Sequence, residues 1–126
     1  MALALLGHVR AGCTLTAGTV RLEGSDVFAL AAPALQAIRG RRIALVPQDA
    51  GSALTPTMRV GSLIEEVLRH HGTAGPAGTA ARALELLGSV NLPEPAVLAR
   101  RHPHALSGGQ RQRVAIALAL AGQPDL

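Results

Sequence analysis

Val60, Leu63, Ile64, Val67 and Leu68 recur at the i, i+3, i+4, i+7, i+8 spacing that lays one apolar stripe along a helix. Gly61-Ser62 marks its start. His70-His71-Gly72 marks its end, where a glycine readily takes the left-handed cap that stops an α-helix. Ala81, Leu84, Leu87 and Gly88 predict a second amphipathic helix. From Val114 to Ala121 the chain is apolar without a break, which predicts a buried helix.

The first third of the chain has shorter patterns. Ala2, Leu3, Ala4, Leu5 and Leu6 are good helix formers, with Gly7 and Gly12 placed to end a helix that no Ser, Thr, Asp or Asn caps at its beginning. Between Thr16 and Gly24 apolar and polar residues alternate, predicting a half-buried strand near residues 19–22. Pro33 fits the first turn of a short helix running to about Ile38, which Gly40 stops. Ile43-Ala44-Leu45-Val46, bounded by Arg41-Arg42 and Pro47, has the pattern of a strand buried on both faces. Residues 49–57 form a loop rich in Gly, Ser, Thr and Pro, residues 72–78 form a connection, and Pro93 and Pro95 break the pattern before the last helix. No internal repeat is present.

Composition narrows the chemistry. The 126 residues suffice for one domain, and all twelve basic residues are arginine. Without lysine, no GxxxxGK[ST] phosphate loop exists among these residues, because that loop needs an ammonium at the β- and γ-phosphates. The net charge of +4 could suit nucleic acid through Arg39, Arg41, Arg42, Arg100 and Arg101. Phe28 is the only aromatic residue, however, so nothing is interleaved to stack on bases, and a solvated or interface role for the arginines is the better reading. Cys13 stands alone, which excludes a disulfide framework and fits a reducing cytosol. The longest apolar runs fall far short of the about 20 residues that span a bilayer, and the N-terminus lacks the basic start and cleavage pattern of a signal peptide.

The most informative residues are Leu106-Ser107-Gly108-Gly109-Gln110, followed by Arg111-Gln112-Arg113 and the apolar run. A serine hydroxyl and two glycines without side chains present a donor and bare backbone N–H groups at the positive end of a helix, which together suit a phosphate. A polar loop before a buried helix could also look like this, but the five-residue match in that context resembles the LSGGQ signature of ABC-type ATPases. The resemblance implies that Ser107, Gly108, Gly109 and Gln110 close over the γ-phosphate of ATP bound to a partner subunit, making a half-site that works in a dimer. Ser107 as a hydrolase nucleophile is set aside, since the Gly-x-Ser-x-Gly elbow is absent.

A second motif, Val46-Pro47-Gln48-Asp49 with Ala53-Leu54-Thr55-Pro56-Thr57-Met58-Arg59-Val60-Gly61 downstream, resembles the Q-loop and following stretch of the oligopeptide, dipeptide and nickel import branch. The resemblance gives Gln48 the task of ligating Mg²⁺ or orienting the attacking water, which a neutral amide can do and then leave without stranding a charge. The family has an aromatic residue where Pro47 stands. Arg100-Arg101-His102-Pro103-His104-Ala105 resembles a Pro-His segment that faces partner subunits in that branch. His102 with His104 lacks a third ligand, and adjacent helical residues such as His70 and His71 point about 100° apart, so neither pair is a metal site. Met58 is a packing residue.

The resemblance covers nearly the whole chain. It implies an α/β fold: a partial P-loop (RecA-like) ABC ATPase domain, with an antiparallel strand region and an α-helical signature subdomain. Residues 1–48 would be core and β region, 49–110 the helical subdomain, and 111–126 the signature helix running toward the Walker B strand. Both ends look truncated, with the P-loop expected upstream and the Walker B acids downstream. The implied function is that of an ATP-binding, ATP-hydrolysing subunit of an importer for peptides or nickel, using ATP and Mg²⁺. Its partners would be a second ATP-binding subunit and transmembrane permease subunits, with no nucleic acid, at the cytoplasmic face of the membrane. This stretch alone is expected to be inactive. The alternatives are a non-catalytic fragment modulating an intact subunit, and an ABC ATPase of DNA repair, although the latter places long coiled coils between Q-loop and signature.

Overall fold

The computed structural model describes residues 2–49, 51, 54–75 and 77–126. Met1 of the expected first helix, Ala50, Ser52 and Ala53 of the expected loop, and Pro76 of the expected connection lie outside the described residues. Helix α1 spans Ala2–Leu5 and ends before Gly7, whose φ of +62° takes the chain out of the helical region. Strands β1 (Arg21–Leu22) and β2 (Ser25–Asp26) pair antiparallel, with Arg21 opposite Asp26 and Leu22 opposite Ser25. Glu23 and Gly24 between them have φ of 50° and 84°, the two left-handed positions of a type I′ hairpin turn. The expected strand is therefore one arm of a very short hairpin. A 3₁₀ turn at Val27–Ala29, capped by the Asp26 carboxylate accepting from the Phe28 N–H, buries Val27 fully. Helix α2 (Ala32–Ile38) follows with Pro33 in its first turn.

The run Ile43–Val46 is not the doubly buried strand its composition suggests. Ile43 is buried, but Leu45 is 40% exposed, and the segment is extended without a regular ladder. It pairs at one end only: the Arg42 carbonyl accepts from the N–H groups of Asp125 and Leu126 (3.0 Å each), and the Ala44 N–H donates to the Leu126 carbonyl at 2.8 Å. Residue 126 thus sits between 42 and 44 as a parallel neighbour does. Among the described residues no strand continues that pairing along Leu45 and Val46, and a buried strand cannot form without neighbours on which to spend its hydrogen bonds.

The helical part packs around one core. Helices α3 (Val60–His71), α4 (Thr79–Ser89), α5 (Pro95–Ala99) and α6 (Gly108–Ala121) contribute Ile64, Leu68, Leu87, Leu98 and Val114, each at most 3% exposed. Burying each such side chain contributes roughly 1.5–3 kcal/mol. Met58 packs against this cluster as expected. Helix α3 ends on Gly72, at φ 64°. Its start differs from the expectation: it begins at Val60, whose N–H donates to the Arg101 carbonyl (2.9 Å), and Gly61 lies inside the helix where Ala99 approaches. A Cβ on Gly61 would stand 3.1 Å from both the Ala99 Cβ and its carbonyl oxygen, so this glycine admits α5 rather than starting α3.

Helix α4 is rotated from its expected register: Thr79, Ala83, Leu86 and Leu87 face the core, whereas Ala81 and Leu84 face out. The spacing 79, 83, 86, 87 is itself helical, and it presents more apolar surface to α3 and α6 than the stripe through Leu84 does. Pro95, which reads as a breaker, opens α5, and a 3₁₀ turn covers Pro103–Ala105 in the Pro-His segment. Helix α6 is buried along Val114, Ala115, Ala117 and Ala121 only. Leu118 and Ala119 on its other flank line a cleft of about 410 Å³ with Leu6, Ile43, Leu45, Val67 and His71. The helix is apolar all round because two faces meet apolar surface, but only one of them is filled.

Candidate functional site

The signature residues occupy the first turn of α6. Leu106, 4% exposed, anchors the approach, and Ser107 at φ −65°, ψ 163° is the extended N-cap residue. Its Oγ accepts from the Gln110 N–H at 3.2 Å, while the Gln110 Oε1 accepts from the Ser107 N–H at 3.0 Å. This reciprocal pair is a capping box, and it satisfies two of the polar groups a helix start leaves open. Arg111 donates its N–H to the Ser107 carbonyl (2.9 Å) and its Nη1 to the Leu106 carbonyl (3.0 Å), holding the loop from behind. Arg113 reaches the Asn91 carbonyl and ties α6 to the turn after α4.

Gly108 and Gly109 are exposed, and a Cβ built on either would meet nothing within 4 Å. Packing therefore does not require glycine at either position. Among the described residues their N–H groups have no acceptor, and the first turn carries no acidic side chain. Two bare donors, a serine hydroxyl whose proton is free while its lone pair accepts, and the positive helix end point into open space.

Gln48 is exposed at the end of the extended segment, where the Asp49 Oδ1 accepts from the Gly51 N–H at 3.0 Å and turns the chain. Among the described residues no hydrogen bond joins Gln48 itself to Ser107–Gln110. A nearby link runs from two residues past Gln110 to the residue before Gln48: the Gln112 Nε2 lies 3.5 Å from the Pro47 carbonyl, a long contact that brings the second turn of α6 beside this segment. The proline in place of an aromatic residue thus lends its carbonyl rather than a ring to that junction. His70 and His71 stand edge to face with centroids 5.0 Å apart, and His102 and His104 stack at 5.5 Å. Among the described residues no three metal-ligating side chains converge.

Sequence reasoning missed the joint at the far end of α6. Gly122 is buried, and a Cβ there would fall 1.7 Å from the Gly40 carbonyl oxygen. The His71 ring closes the same joint, 2.6 Å from where a Gly40 Cβ would stand, and the Thr73 Oγ1 donates to the Ala121 carbonyl at 2.8 Å. Burial, then His70, then Arg41 hold the His71 imidazole below its ordinary pKa. The pairing of Gly40 with Gly122, 82 positions apart, has no local signal.

The sequence matches the ABC transporter family over residues 2–126. The chain belongs to that family. This ABC transporter chain is 49% identical over 110 residues to a Brucella melitensis protein named for peptide import and ATP binding, covering 86% of the chain and 33% of that protein. It is 46% identical over 110 residues to the oligopeptide transport ATP-binding protein OppD of Mycobacterium tuberculosis, covering 86% of the chain and 18% of the relative. Its fold is similar to the dimeric ATP-binding cassette MJ0796 bound to ADP and Pi, with a TM-score of 0.74 and 35% identity, over 86% of this chain and 46% of that one. The ABC transporter chain therefore spans a third or less of these two curated relatives. No helix among the described residues is long and apolar enough to cross a membrane.

Proposed function

We propose that this chain contributes the signature half of a composite ATP site in the ATP-binding subunit of a peptide importer. The observation that carries the reading is the pair of N–H groups of Gly108 and Gly109, without an acceptor among the described residues, beside the Ser107 hydroxyl at a solvent-open helix start whose first turn holds no carboxylate. That donor set fits the γ-phosphate of ATP bound to a second subunit. ATP supplies the phosphoanhydride whose cleavage energises transport. Gln48 offers one neutral oxygen to Mg²⁺ or to water, enough for a single place in an octahedral shell and too little to hold the ion by itself. The lysine and acids of the other half-site are not among these residues.

Peptide import, rather than nickel, is favoured by the names of the relatives. Transport, rather than DNA repair, is favoured by α3, α4 and α5, short helices that fill the interval between Gln48 and Ser107. The subunit would act at the cytoplasmic face of the membrane against permease subunits. Residues 1–48 would belong to the ATPase core, 49–110 to the helical subdomain, and 111–126 to the signature helix, although α6 itself runs through the 110/111 division.

The test is ATP-dependent association with an intact ATP-binding subunit. Gly108→Asp adds a carboxylate where the built Cβ meets nothing, at a first-turn position that favours acidic residues, so folding is preserved. Association with the intact subunit is expected only in the presence of ATP, and at least about tenfold weaker for Gly108→Asp. Association indifferent to ATP, or to this substitution, would overturn the reading.

A further inference from the structure

The signature resemblance groups Gln110 with the phosphate contacts, yet its side chain is already engaged. Its Oε1 turns back onto the Ser107 N–H, at 3.0 Å, and its own N–H holds the Ser107 Oγ, at 3.2 Å. The two bonds close a ring around the serine, fixing both its backbone and the lone pair of its hydroxyl. The hydroxyl proton, and the N–H groups of Gly108 and Gly109, are what remains to meet an anion. We infer that Gln110 is a positioning residue, which aims the Ser107 hydroxyl and the two glycine N–H groups at the phosphate rather than binding the phosphate itself. This rests on the proposed reading of residues 107–110 as a phosphate-facing site.

A capping box accepts Glu in place of Gln at this position, because the carboxylate also accepts from the N-cap N–H, whereas Ala cannot. Alanine is otherwise a good helix residue, so Gln110→Ala retains α6. Two measurements on the full chain decide the matter. In nucleotide-free protein, amide exchange at Ser107 is expected to rise about 5- to 10-fold in Gln110→Ala, and to return to the wild-type rate in Gln110→Glu. In ATP-dependent association, Gln110→Ala and Ser107→Ala are expected to be non-additive: once the hydroxyl is gone, its positioner has little left to lose. A phosphate ligand would instead give additive losses, and an unchanged exchange rate in Gln110→Ala would remove the ring from which the role is argued; either result overturns the inference. Because the exchange measurement needs no nucleotide, failure of the site reading is distinguishable. Wild-type protein that never associates in response to ATP would remove the phosphate-facing role altogether, while unchanged exchange in Gln110→Ala would remove the role of Gln110 alone.

Discussion

At the scale of single residues, the glycines of this chain have opposite physical reasons. Gly122 has an ordinary φ of −77°, so its backbone does not require glycine; the Gly40 carbonyl, 1.7 Å from where a Cβ would stand, does. Gly122→Ala should therefore destabilise the fold by at least about 1–3 kcal/mol, the range for forced overpacking. Gly108→Ala, with open space beside it, should be neutral or stabilising by up to about 1 kcal/mol. Denaturant midpoints of the two variants check both. His71 closes the same joint and makes it sensitive to pH. Its pKa is lowered by burial first, then by His70 and Arg41, and these outweigh the favourable dipole at the end of α3. The folded state thus binds a proton less readily than the unfolded state. The stability this gives is present in full above the ordinary value of 6.5, and is lost as pH falls through the lowered folded pKa. Between pH 7.5 and 5.5 the melting temperature of the wild type should fall more than that of His71→Gln; equal slopes would contradict this.

At the scale of elements, α4 gives the sharpest test of packing, because two leucines three residues apart have different environments. Leu87 is fully buried and Leu84 is 36% exposed. Leu87→Ala should cost about 2–5 kcal/mol and Leu84→Ala no more than about 0.5 kcal/mol, read as shifts of the unfolding midpoint. The apolar pattern made this helix legible but not its rotation, since Leu87 lies on two helical stripes, one with Leu84 and one with Ala83 and Leu86, and only the neighbouring helices choose between them. Helix α3 was legible to its last residue because Gly72 supplies a left-handed stop. Helix α5 was not, because five residues hold too few apolar positions to set a period, and Pro95, which opens it, reads equally as a breaker. Ile43–Val46 failed for a different reason: strand pattern states what a segment can pair with, and pairing depends on neighbours far away in the chain. In the turn at residues 107–110 the motif marks the helix start, but the inward turn of Gln110 is a rotamer, which spacing cannot specify.

At the scale of the whole molecule, the proposed phosphate-facing turn is a small part of what a nucleotide site needs. On that reading it would offer about three donors to a phosphate. Charge-assisted hydrogen bonds contribute about 1.5–3 kcal/mol each, and a helix start up to about 2 kcal/mol. Association costs of about 4–15 kcal/mol offset most or all of that sum. Near the middle of both ranges, contacts of about 8 kcal/mol against costs of about 9 leave no net affinity, so the about 4 kcal/mol that a Kd of about 1 mM needs is not expected. With no lysine in the sequence and no cluster of acidic ligands among the described residues, nothing here makes up the difference or assembles the metal and base that hydrolysis needs. The chain by itself should accordingly release phosphate from ATP no faster than its Ser107→Ala variant, and titration calorimetry should find no saturation by ATP below about 1 mM. Turnover above that control, or micromolar binding, would mean that these residues hold a nucleotide site of their own. The absence of both, together with ATP-dependent capture of an intact subunit, is the behaviour of a surface built to complete a site on another molecule.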